Sequence, residues 1–257
     1  LLARFLVGQM AGVAFGTAAA GWLGEHFGWR SIFWALGALL LAIALLLFLE
    51  LQNPLVGTAR RSSIRESLKR MPRLLLQRPL QVLLATGYTE GALIFGALAF
   101  VAIHLQRRYG IGPGLAGTLV TAYAAGGLLY ALLARRAHRR FGERGLATLG
   151  GLALVFGYAG LAFATSPTRA TLCIACVGVG FYMLHTTVQT HVTHVKPEER
   201  GSTVALFATF LFLGQASGVW LGAQIVDVAG LAPVFVAAAV GLAVLTVSFR
   251  YYLSGGT

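Results

Sequence analysis

Residues 31–49 read SIFWALGALLLAIALLLFL, nineteen consecutive positions without a charge. At about 1.5 Å per residue, such a helix is about 28 Å long, close to the ~30 Å hydrocarbon core of a bilayer. A helix is also the element that satisfies its own backbone N–H and C=O groups where no water reaches them. Seven further stretches read the same way: 5–24, 80–105, 114–134, 145–165, 170–192, 203–226 and 231–249. The breaks between them carry Gly, Pro or charge, as in Gly28-Trp29-Arg30, Gly110-Ile111-Gly112-Pro113, Thr165-Ser166-Pro167 and Lys196-Pro197-Glu198-Glu199-Arg200. The expectation is an all-α integral membrane protein with eight transmembrane helices.

Composition agrees. Of 257 residues, 57% are hydrophobic and 11% charged, and mean hydropathy is +0.77. An ordinary soluble domain carries about 25% charged residues, so a polar shell for a soluble core cannot be built here. The net charge of +12 would suggest nucleic acid in a soluble chain; in a multi-pass one it belongs to cytoplasmic loops. With alternating sides, sixteen of the twenty Lys and Arg fall on one side, and only Arg30, Arg107, Arg108 and Arg169 on the other. That bias places both termini and the long connection 53–79 in the cytoplasm. Within the connection, Ser63 and Glu66 have capping-box spacing. Ile64, Leu68, Met71 and Leu75 then share one face against Arg65, Lys69 and Arg73, the pattern of a basic helix in the headgroup plane. A solvated linker that only sets topology is the alternative.

Shifting the sequence by 202 residues lays Phe5, Gly12, Gly16, Gly28 and Phe33 on Phe207, Gly214, Gly218, Gly230 and Phe235, and Glu25 on Asp227. Spans one and two thereby correspond to seven and eight. The division that follows is 1–52 as the last two helices of one bundle, 53–79 as a linker, and 80–257 as a complete six-helix bundle. Four helices of the parent chain are then expected ahead of Leu1, and the 257 residues alone are expected to be inactive. Gly8, Gly12 and Gly16, like Gly214, Gly218 and Gly222, recur every four residues, a ridge that lets helix backbones approach in lipid.

Two six-span units joined by a basic loop resemble the major facilitator superfamily of secondary transporters. Gly28-Trp29-Arg30-Ser31-Ile32-Phe33 looks like the family's link between helices five and six. Leu213-Gly214-Gln215-Ala216-Ser217-Gly218 looks like helix eleven, and Pro197-Glu198-Glu199-Arg200-Gly201 like the loop before it. The resemblance covers the whole chain as helices five to twelve of twelve. The family's loop motif is matched by Arg140 and Gly142 in Arg135-Arg136-Ala137-His138-Arg139-Arg140-Phe141-Gly142, but Arg139 stands in the acidic place. Thr17 replaces the Pro of the antiporter signature. The general look is closest to the efflux permeases. The resemblance implies alternating access by two bundles, a small-molecule substrate, protons or another coupling ion, a bacterial inner (plasma) membrane and no cofactor. It also makes Gly28, Arg30, Arg140, Gly142 and Asp227 the gating and loop candidates.

Polar side chains inside spans are costly, so they usually face a cavity or a partner. The third span carries Thr86, Tyr88 and Glu90, the fourth Tyr123, and the sixth Tyr182, His185 and Gln189. In the resembled family the first and fourth helices of each six line the cavity; here those are the third and sixth spans. Glu90, well inside its span, is a candidate for proton coupling or for a cationic substrate. Tyr182, His185 and Gln189 fall on one helical stripe, which serves as a cavity wall or as interhelical hydrogen bonding. His191 and His194 are expected in a solvated loop. Cys173 and Cys176 are packing residues, and no metal, dinucleotide, Walker or nucleophile-elbow pattern occurs. An intramembrane enzyme using Glu90 and His185, or a non-transporting fragment, are the competing readings.

Overall fold

The computed structural model describes residues 2–51 and 71–255 (of 2–7, 9, 10 and 51 the backbone only), and these are α-helical almost throughout. The helices are α1 (Leu2–Phe27), α2 (Trp29–Leu51) and α3 (Arg78–Tyr109). Then come α4 (113–141), α5 (143–163), α6 (Pro167–Val195), α7 (Arg200–Ala229) and α8 (Leu231–Gly255). Six segments among the described residues are long and apolar enough to cross a membrane. That differs from the expected eight in two places. Part of the first expected span lies outside the described side chains, and the fourth and fifth expected spans fall in one continuous segment of 51 residues, Pro113–Phe163.

That segment is far too long for a single pass, and Gly142 folds it back. Its φ of +61° and ψ of −177° lie where a Cβ is not tolerated. Before it, contacts rise in step with α6: Tyr123 meets Gly178, Gly127 meets Tyr182 and Tyr130 meets Thr186. After it they run in opposition, Gly150 against Gly180 and Gly157 against Cys173 and Val177. Hence α4 lies parallel to α6 and α5 antiparallel to both. By the same reading α3 runs parallel to α7, with Gly91 on Leu211, Gly96 on Gly218 and Phe100 on Gly222. Helix α8 runs against α3 and α5 through Leu93–Gly241 and Gly151–Thr246. Gly142, the start of α3 and the end of α8 share one cleft and define the hinge end.

Gly28 and Gly230, which the 202-residue shift superposes, both join two helices with positive φ, +79° and +85°. The glycine ridges part company. Gly214 and Gly218 press on the Tyr88 and Ala92 backbone, whereas Gly8, Gly12 and Gly16 meet nothing within 4 Å among the described residues. Equal spacing licenses close approach; only a facing helix produces it.

The linker expectation falls largely on residues 52–70, outside the described residues. Residues 71–75 are helical, but Leu74 is fully buried and Met71 and Leu75 pack on the core. The apolar residues at this end of the expected helix thus face the bundle, with Arg73 exposed.

At the far end, α1 packs on the start of α4. Gly21 and Gly117 are in backbone contact, and Gly114 N donates to the Glu25 carboxylate at 2.8 Å. A carboxylate at a helix N-terminus is favoured by the unpaired N–H groups there. A Cβ on Gly114 would strike Glu25 Oε2. That atom ends a flexible side chain that can turn away, whereas a Cβ on Gly117 would strike the Thr17 carbonyl. Gly117→Ala is therefore expected to loosen α1 from α4 at a cost of about 1–3 kcal/mol, read as a lowered Tm in detergent.

Candidate functional site

Helix α3 changes pitch at the third span's acid. Glu90 ends a regular stretch, and Gly91–Phe95 forms a π-turn before the α-helix resumes. Such turns recur at functional sites because they re-aim side chains. Gly91 and Gly96 flank it and let α7 approach to backbone contact. Tyr158, fully buried on α5, donates its hydroxyl to the Ile94 carbonyl at 2.5 Å inside the wide turn. Tyr158→Phe would leave that carbonyl without the bond. We expect a loss of about 1 kcal/mol, readable as a lowered Tm in detergent.

Glu90 is completely buried and His185 nearly so, with 14% of its side chain exposed. Glu90 Oε2 lies 3.0 Å from His185 Nδ1, joining α3 to α6. The second carboxylate oxygen, Oε1, is buried with no hydrogen-bond partner among the described residues, as is the Tyr123 hydroxyl. An orphaned carboxylate oxygen in an apolar interior is expensive unless a proton, a cation or a moving partner visits it.

The surroundings are aromatic. Phe181 stacks on the His185 ring at 4.7 Å and Phe207 lies 5.5 Å from it. Phe95 meets Phe181 at 5.0 Å, and Tyr123 lies 6.1 Å from Tyr182. A low-dielectric wall of this kind strengthens the carboxylate–imidazole interaction and makes either partner alone costly.

Of the sequence candidates, Glu90, His185, Tyr182 and Tyr123 are brought into one cluster. Thr86 is buried but bonds its own helix at Val82 O, 2.8 Å away. Tyr88 is 38% exposed on another side of α3, and its backbone meets Gly214. Gln189 is half-buried one turn beyond His185. Gly142 forms the fold-back already described. Arg140 is exposed over the Phe141 ring at 5.6 Å, and Arg30 over Trp29 at 4.7 Å. Asp227 is exposed at the end of α7, while its repeat partner Glu25 holds α4.

The sequence reading missed Tyr158, Phe181 and Phe207. It also misplaced His191, which is not in a solvated loop: it lies on α6, 72% covered, with its Nε2 at 3.1 Å from Glu143 Oε2. That is an ion-pair distance without the alignment of a hydrogen bond. His194, one turn on, is exposed as expected but lies on the same helix and not in a loop.

A family model described as Major Facilitator Superfamily matches residues 1–197. No curated protein matches the chain.

Proposed function

For a chain that belongs to the Major Facilitator Superfamily, a family of membrane transporters, we propose proton-coupled movement of a small solute by alternating access. The lipid bilayer is its setting and a small molecule its substrate. In this reading the chain makes eight crossings, with α4 and α5 as separate passes on either side of Gly142. Residues 80–257 form one six-helix unit, and α1 and α2 belong to a second. Both termini face the cytoplasm of a bacterial inner membrane, and transport runs outward, in keeping with the efflux-permease likeness.

The observation that carries the coupling is the Glu90–His185 pair. A carboxylate buried in a bundle is stable while its partner balances it. A proton on Glu90 removes the charge and weakens the pair; a cationic or polar solute competes for the same oxygens. Occupancy by proton or solute then biases how the helices pack, as differential binding to two states requires. Tyr123 and Tyr182 offer hydroxyls to the same space. Gating at the chain's loops falls to Gly28, Arg30, Arg140, Gly142 and Asp227.

The test is flux in proteoliposomes under an imposed pH gradient, with a panel of small cationic and neutral solutes, read on a two-bundle transporter that carries these helices, since the 257 residues alone are expected to be inactive. Gradient-driven accumulation that a protonophore collapses is the expected result. Accumulation indifferent to the gradient would remove the coupling.

A further inference from the structure

Two cavities open at the hinge end, and Glu143 lines both. The outer one, about 910 Å³, is bordered by Pro79, Phe141, Glu143, His191, Tyr251 and Tyr252. The inner one, about 230 Å³, lies between α4, α5 and α6 and is bordered by Tyr130, His138, Glu143, Thr186, Thr187 and Thr190. The Glu143–His191 pair thus stands at the partition between them. The inner cavity is large enough for several waters and has the polar partners waters need. It ends where Tyr130 Oη and Thr186 Oγ1 hydrogen-bond at 3.1 Å. Thr186 neighbours His185 in sequence with its side chain about 100° around the helix, and its hydroxyl donates to the carbonyl of Tyr182, a member of the buried cluster, at 2.6 Å. Six residues of helix, about 9 Å of rise, separate His191 from His185.

We propose that Glu143 and His191 form the intake of a proton path from the hinge end, which runs through the inner cavity and past Tyr130–Thr186 to the Glu90–His185 pair. The proposal rests on the coupling role of Glu90 given above and names the residues that supply it. The two stations are alike in kind, each a carboxylate and an imidazole about 3 Å apart. They differ in setting, the outer one half-exposed and the inner one buried. A proton taken from bulk water at Glu143 or His191 is passed along hydroxyls and cavity water, and one proton arrives at Glu90 for each that enters. The charged and titratable groups around the intake are His138 from α4, Arg144 from α5 and Tyr251 and Tyr252 from α8. Arg144 is held aside, its Nε donating to Leu253 O at 2.9 Å. Among the described residues, the basic side chain within ion-pair distance of Glu143 is therefore His191.

Time-resolved infrared spectroscopy on the chain in nanodiscs tests this without a substrate. After an acidic pH jump, the carboxyl C=O band that Glu90→Gln abolishes reports protonation of Glu90. Glu143→Gln and His191→Asn should each slow its appearance by about tenfold or more, the scale of a positioned proton-transfer group. An unchanged rate in both variants overturns the path and leaves the coupling role standing. If Glu90→Gln abolishes no band, the coupling role falls and the path with it. As a check that does not depend on rates, Thr186→Cys should react with a small water-soluble thiosulfonate while Val188→Cys, fully buried, does not. Equal inertness of the two also overturns the path.

Discussion

Glu90→Gln is expected to abolish gradient-driven accumulation, lowering it by about a hundredfold or more, and to flatten its pH dependence. The amide is nearly isosteric with the carboxylate, so packing around this fully buried side chain is preserved. His185 Nδ1 keeps an oxygen to bond. What is lost is the charge and the ability to take a proton. The amide leaves His185 without its charged partner, so some loss of Tm is expected, and flux is compared at equal amounts of folded protein. Glu90→Asp retains the carboxylate but draws it back from His185, and partial coupling is expected. Parent-like accumulation and pH profile in Glu90→Gln, measured in proteoliposomes, would rule out the carboxylate as the coupling group.

The other large effect concerns stability. Gly16 and Gly218 occupy the same position of the 202-residue repeat, yet a methyl group meets open space at the first and the Ala92 backbone at the second. Gly218→Ala must push α7 from α3 along a line where Gly91, Gly96 and Gly214 are equally tight. Overpacking of this kind costs about 1–3 kcal/mol. Because the obstacle is main chain rather than a flexible side chain, the upper part of that range is expected. Gly16→Ala should be neutral or slightly stabilising, since alanine loses less backbone entropy in a helix. Thermal unfolding of the two variants in one detergent compares them directly. Equal Tm values would mean that the α3–α7 contact is not tight in the protein.

Fold class was legible because lipid imposes a one-dimensional rule: about 20 apolar residues, then a break. The breaks at Gly28, Gly110–Pro113 and Ser166–Pro167 fall where helices end. What lies between elements was less legible. Glu90 and His185 were both chosen for their polarity inside spans, but nothing in spacing said that they touch. Tyr88 is two residues from Glu90, about 200° around a helix, so the angle alone already argued against its sharing the site. Tyr182 and His185, three apart, do share it. Tyr158 and Phe181 look like ordinary core residues in the sequence, and only the π-turn and the stacking give them a place. His191 was misread because a cluster of polar residues near Lys196 resembles a loop; helix α6 continues through it and Glu143 arrives from 48 positions away.

The glycine contacts sort the helices into two groups. Helices α4, α5 and α6 touch through main chain, at Gly126, Gly150, Gly178 and Gly180; α3 and α7 do so at Gly91, Gly96, Gly214 and Gly218. Across the boundary between the groups, Glu90 and His185 meet by side chains, as do Phe95 and Phe181. Two rigid blocks are therefore riveted along a softer seam, and its only ionic rivet among the described residues is one whose strength a single proton can switch. A shift of one block against the other would shear that rivet first and leave the backbone clasps within each block intact.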